Sequence, residues 1–175
     1  MMKKGRSDGF TLVELLITVG IMIILTAIGL GNFNFSRIKG KDAKRKADLT
    51  QLARAIETFN EDFGFYPESD VDGNILGCNP SGDISTFNIC PWGTALEGYP
   101  RGGTEKQTYI AEISEDPNST RRYFYESDQV SFSLYAALEN DLDPHYQSDL
   151  TPDCNSGGSS IKCNYRLTNI GVEEP

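Results

Sequence analysis

The chain has 175 residues, of which 38% are hydrophobic, 23% charged and 10% aromatic, a balance that suits one domain of ordinary size and excludes a wholly disordered or collagen-like polypeptide. Its formal charge of −9 argues against general nucleic-acid binding, and a mean hydropathy of −0.38 excludes a protein with many membrane spans. That average conceals one strongly apolar segment near the amino terminus.

In chain order, Lys3, Lys4 and Arg6 form a basic start. From position 15 to position 36 there follow 22 residues without a formal charge, LLITVGIMIILTAIGLGNFNFS. As a helix this run spans roughly 33 Å, enough for the hydrocarbon core of a bilayer, so one anchor and one polar body are expected. A secretory signal peptide also begins basic and turns apolar. Here no small-x-small cleavage site closes the run, and the helix-compatible pattern continues into the polar part. A plain anchor explains the hydropathy but not Glu14, since a carboxylate in lipid costs on the order of 2.5–3.5 kcal/mol at a helix centre and less near an end.

The stretch Gly9-Phe10-Thr11-Leu12-Val13-Glu14-Leu15-Leu16, between a basic leader and an uncharged run, resembles the processing motif of type IV prepilins and of the pseudopilins of type II secretion. The resemblance implies a leader over 1–9, removed by a prepilin peptidase between Gly9 and Phe10, and N-methylation of Phe10. It implies further that Glu14 serves assembly, at an inner-membrane platform, into a helical homo-oligomeric filament. The precursor would lie in the inner or cytoplasmic membrane, and the filament in the periplasm or outside the cell. Physically, an amine on Phe10 of a neighbouring copy would neutralise Glu14 and set the axial register, and methylation leaves that amine basic. Glu14 also sits at the positive end of the helix dipole. Loss of the leader removes Lys3, Lys4, Arg6 and Asp8, so the mature chain is two charges more negative.

Past the run come Arg37, Lys39, Lys41, Lys44, Arg45 and Lys46. The count of basic residues alone therefore leaves orientation open; the resemblance and the cysteines place the body on the exported side. This cluster is expected either to face acidic patches of neighbouring subunits or to be a solvated or headgroup-facing surface. Leu49, Leu52, Ala53, Ile56, Phe59 and Phe63 then recur on one helical face, with Asp48, Gln51, Arg54, Glu57 and Glu61 on a solvated one. One helix is predicted from Phe10 to Phe63, stopped by Gly64 and Pro67. Gly29 and Gly31 predict either local unwinding or close helix packing. The segments are thus a leader (1–9), a transmembrane and filament-core helix (10–36), its amphipathic continuation (37–66) and a globular head (67–175).

Within the head, 67–108 reads as a long loop with a short helix around Thr94–Glu97, pinned by Trp92 and Tyr99. After the turn signal Asp116-Pro117-Asn118, Tyr123–Tyr125 and Val130–Tyr135 read as the two strands of an antiparallel hairpin, with Val130, Phe132 and Leu134 facing inward. The fold class is α+β, a long amino-terminal helix packed on a small antiparallel sheet. The helix over 43–67, the Asp-Pro turn, the Tyr-x-Tyr strand and Ser133–Glu139 resemble the major pseudopilin of type II secretion. Beyond Glu139 the resemblance fades, which leaves pilus and secretion pseudopilus both open.

Cys78, Cys90, Cys154 and Cys163 allow three connectivities. Pairing each with its sequence neighbour would close short loops, each contributing about 2–3 kcal/mol, and would tie down the flexible 155–160. The alternative of a zinc site lacks a Cys-x-x-Cys and has only His145. Asp141, Asp143, Asp149 and Asp153 are candidates for calcium, which related pseudopilins carry in a C-terminal loop; a solvated acidic edge is the plainer reading, since no EF-hand spacing is present. Asp70–Asn74 resembles the start of a calcium loop but lacks the closing Glu, and Asn118-Ser119-Thr120 is a glycosylation sequon by pattern. No cofactor is required. One His, no phosphate-binding Gly loop and no nucleophile elbow argue against an enzyme. A structural filament subunit is expected, of a type IV pilus or alternatively a pseudopilus. A monomeric membrane-anchored binding protein is the reading of a different class.

Overall fold

The computed structural model describes residues 9–79, 86–100, 103–157 and 160–172, the side chains of 27–32 excepted. The basic leader and part of the 155–160 linker lie outside them. The chain divides into two compact units, residues 1–38 and 39–175. One helix, α1 (Leu12–Phe63), supplies 52 residues to the two and passes Gly29 and Gly31 without a break in helical backbone.

Thr11 starts α1 from outside it. Its hydroxyl accepts the Glu14 N–H at 3.3 Å, while Glu14 Oε2 accepts the Thr11 N–H at 3.1 Å and the Thr11 hydroxyl at 2.9 Å. This is a capping box, which satisfies helix-end donors reciprocally. In the first unit two threonines of the run are satisfied within the helix, Thr18 donating to the Leu15 carbonyl and Thr26 to that of Met22. Among its described apolar side chains Leu12, Val13, Leu16, Met22, Ile23 and Leu25 are all exposed. Among the described residues no helix is long and apolar enough to cross a membrane; the middle of the apolar run, 27–32, carries no described side chains.

In the second unit the same helix acquires a core. Leu49, Leu52, Ala53, Ile56, Phe59 and Phe63 are buried, as their spacing predicts. Gly64 closes α1 with φ of 83° and an N–H donated to the Asn60 carbonyl at 2.8 Å, the left-handed cap that glycine adopts without strain. Asp48, assigned to the solvated face, is instead half-buried: it accepts from Tyr123 Oη at 3.0 Å and Lys44 Nζ at 2.8 Å.

Among the described residues nine short strands cover the apolar face. β1 (Glu68–Ser69), β2 (Ile75–Cys78) and β3 (Asn88–Cys90) form an antiparallel sheet in that order; β4 (Leu96–Gly98) pairs with β5 (Gln107–Ile110); and β6 (Phe124–Ser127), β7 (Phe132–Ala136), β8 (Tyr165–Thr168) and β9 (Gly171–Val172) form an antiparallel meander. Tyr125 stands opposite Leu134, and Leu134 opposite Leu167. Cross-sheet bonds from the Tyr125 N–H to the Gly73 carbonyl and from the Asn79 N–H to the Glu97 carbonyl join the three sheets. Ile75, Leu96, Ile113, Tyr125, Leu134 and Tyr165 meet the helix in one core.

The predicted long loop is therefore three strands and a hairpin, and the predicted helix at Thr94–Glu97 is absent. Pro91–Thr94 is a tight turn, with Gly93 at φ 81° and the Thr94 N–H on the Pro91 carbonyl, and Leu96 and Glu97 pair with β5. Strands of two to four residues carry no readable period, and these lean on tertiary pairing for their stability. Val130 is also corrected: it is 81% exposed in the β6–β7 turn, where the Asp128 carboxylate accepts the N–H groups of Val130 and Ser131, and the strand starts at Phe132. Trp92 packs edge-on against Tyr123, centroids 5.8 Å apart, and Tyr99 is half-buried.

Candidate functional site

At the amino terminus Gly9 and Phe10 precede the helix with both residues exposed, Phe10 at 84%. Thr11 turns the chain into α1, and the capping box fixes Glu14 one turn in. One carboxylate oxygen is occupied by Thr11; no hydrogen bond among the described residues reaches the other. The Thr11-x-x-Glu14 signature is visible in the sequence, and hydropathy reasoning alone passes over it.

A second feature lies on the same helix, two turns into the body. Arg45, assigned with its neighbours to an outward basic surface, is fully buried. Its Nε and one terminal nitrogen grip Asp116 at 2.7 and 2.9 Å, the fork-on-fork geometry that suits guanidinium and carboxylate. Its other bonds go to Asp42 at 2.6 Å and Glu139 at 2.8 Å. Asp42 in turn accepts the N–H groups of Glu139 and Asn140. One helix turn thereby holds two loops, around residues 116 and 139. Burial opposes charging Glu139, but the bond from Arg45 outweighs it and holds the carboxyl below its ordinary range. The surrounding lysines follow the same logic. Lys41 reaches Glu139 at 3.7 Å, Lys44 reaches Asp48, and Lys46 reaches Asp143 at 2.5 Å. Most of the basic cluster is thus spent within its own body. The signal available in the sequence is the Asp42/Arg45 pair at helical i, i+3 spacing; the partners at 116 and 139 need the fold.

Cys78 is bonded to Cys90 across β2 and β3, and Cys154 to Cys163, with Cα separations of 5.3 and 5.1 Å, inside the usual range. No free cysteine is left for zinc. The four aspartates considered for calcium do not gather. Asp143 is held by Lys46, Asp153 caps the Asn155 N–H in the C-terminal disulfide loop, and Asp141 and Asp149 are exposed. Among the described residues no three His, Cys, Asp or Glu side chains converge. Asp70 is likewise consumed, by the N–H groups of Asp72 and Asn74 and by the Asn74 amide.

Residues 4–30 match the prokaryotic N-terminal methylation motif. The type II secretion system core protein G of Klebsiella pneumoniae is 27% identical over 112 residues, 64% of this chain and 69% of that one. The type IV major pilin protein PilA of Myxococcus xanthus is 32% identical over 108 residues, 54% of this chain but only 48% of its own length, and core protein G of Aeromonas hydrophila is 29% identical over 107 residues, 55% of this chain and 75% of that one. No solved structure matches the chain. With the methylation motif at its start, relatives of both kinds over 64% and 54% of its length and a long helix backed by antiparallel sheets, the chain is pilin-like in architecture and is similar to the structural subunits of type IV pili and type II secretion pseudopili.

Proposed function

We propose that this subunit is made as a membrane-anchored precursor, cut between Gly9 and Phe10 by a prepilin peptidase, N-methylated on Phe10, and passed by an inner-membrane assembly platform into a type IV pilus-like filament. The observation that carries the reading is the run of exposed apolar side chains from Leu12 to Leu25 at the start of α1. At about 25 cal/mol per Å² such surface must be covered, first by lipid and then by the helices of neighbouring copies in a non-closing, heterologous stack. Glu14 joins the two states. Its Thr11-bound oxygen secures the helix start, and its second oxygen receives the Phe10 amine of the next subunit. The body then coats the filament in the periplasm or outside the cell, and its role is structural rather than enzymatic.

Mass spectrometry of assembled filaments tests the scheme: the expected amino terminus is Phe10 carrying one methyl group, and an intact Met1 leader overturns it. Glu14→Ala is expected to abolish assembly while leaving the folded body unchanged. A pseudopilus of a type II secretion system is the second reading, supported by core protein G relatives that cover more of this chain than the pilin does. Long surface filaments in the native cell support the pilus; a secretion defect without them supports the pseudopilus.

A further inference from the structure

Two hairpin turns of the four-stranded sheet carry residues that such turns seldom take. The β6–β7 turn projects Val130, 81% exposed, and the β8–β9 turn projects Ile170, 92% exposed, where short hairpin turns ordinarily favour Gly, Asn and Asp. Both are fixed in this pose. The Asp128 carboxylate accepts the Val130 N–H at 3.0 Å, Gln129 holds a φ of 70°, and its carbonyl accepts the Tyr66 N–H at 3.0 Å. Thr168 Oγ1 accepts the Ile170 N–H at 3.3 Å and donates to the Gly171 carbonyl at 3.0 Å. Because β7 and β8 pair Ser133 with Thr168, the two turns leave the same end of the sheet, two strand spacings or about 10 Å apart. The bond to Tyr66 sets that end beside the close of α1 at Phe63.

The opposite end of the body has a groove of about 320 Å³ between α1 and the loop after β7, lined by Ala43, Leu142 and Pro144 with Lys39 and Lys46 at its sides. Leu142 is 79% exposed, and Ala43 and Pro144 are exposed beside it. At 1.5 Å per helical residue, groove and turns stand roughly 30 Å apart along α1. Their charges are opposite. Asp128 and Glu68 are exposed at the turns, where Gln129 Nε2 donates to Glu68. In the groove Asp42 is buried on Arg45 and Asp143 is held by Lys46, while Lys39 is exposed; Asp141 stands outside the lining.

We infer that the two ends are the halves of one contact between copies of this chain: Val130 and Ile170 of one copy seat on the Ala43, Leu142 and Pro144 groove of the next, with Asp128 against Lys39. This rests on the filament reading above and adds to the helix stack a contact made by the bodies. Turns against turns would oppose Asp128 and Glu68 to their own counterparts, and groove against groove would oppose Lys39 to itself; turns against groove join unlike charges. Such a contact is heterologous, and on repetition it extends without closing. Two apolar side chains bury little area, but the stacked helices already hold the copies together, so the second contact forms at high effective concentration.

Cysteine pairing tests this on the full chain assembled in its cells. The four native cysteines are disulfide-bonded, so engineered thiols react alone. Filaments of the Val130→Cys, Leu142→Cys double variant, treated with a short bis-maleimide, are expected to give a ladder beyond the dimer on denaturing gels, and either single variant none. The Val130→Ser, Ile170→Ser double variant is expected to keep the parental urea midpoint and to raise the rate at which purified filaments shed subunits in mild detergent about tenfold or more. Filaments without a ladder, a dimer from Val130→Cys alone, or parental shedding in the serine variant overturns this contact and leaves the filament reading standing. A parent chain that forms no filaments overturns both.

Discussion

One helix serves two units under opposite rules. In residues 12–26 apolar side chains lie on every face and stay exposed, while from residue 39 onward the apolar residues keep to one stripe and Asp42 and Arg45 are paired inside the body. A helix that is hydrophobic all round must be covered from outside the chain, whereas an amphipathic one can be covered by its own sheets. The contrast teaches that the first unit is specified by its environment and the second by its sequence neighbours.

Substitutions that strike one unit and spare the other sharpen that division. The largest effect is expected from Arg45→Ala, which strands Asp42 and Asp116 as buried charges and costs about 3–5 kcal/mol by urea denaturation. Leu52→Ala opens the covered stripe and costs about 2–5 kcal/mol in the same assay, while Ile23→Ala leaves body unfolding within about 0.5 kcal/mol and lowers filament yield instead. Equal losses of body stability from both would break the comparison. Replacing Cys154 and Cys163 together by Ser is expected to lower body stability by about 2–3 kcal/mol.

Acid titration has a smaller effect with a defined sign. Glu139, beside Arg45, and Asp143, held by Lys46 against the opposing effect of burial, both sit below their ordinary carboxylate range. Each contributes stability that is complete above about pH 5 and fades as pH falls through about 4 and below. Stability rising on acidification from pH 5 to 3, followed by thermal unfolding, would contradict the network. The smallest effect belongs to Val130→Ser at the exposed turn, expected within about 0.5 kcal/mol of the parent.

Much of this was legible in the sequence where a period or a motif spans many residues. The stripe from Leu49 to Phe63, the stop at Gly64 and the motif around Glu14 all belong to that class. The β6–β7 hairpin was legible as alternation but misplaced at Val130, because the Asp128 turn draws that residue out of the strand. β1 to β5 were hidden in Gly- and Pro-rich text, since pairing across sheets and the Cys78–Cys90 bond stabilise strands too short to signal themselves. β8 and β9 followed a stretch without a family counterpart. Arg45 was misassigned for a physical reason: a cation between lysines is usually solvated, and only its partners 71 and 94 residues away make burial tolerable.

That network has a mechanical consequence. Tension drawn along α1 enters the body at residue 39 and meets Asp42 and Arg45 before it reaches Leu49, the first rung of the apolar core. Charge-assisted bonds of fixed geometry are stiff, and the dispersion contacts behind them are individually weak. A load on this stretch of the helix is therefore shared at once with the segments around Asp116 and Glu139, ahead of the apolar core.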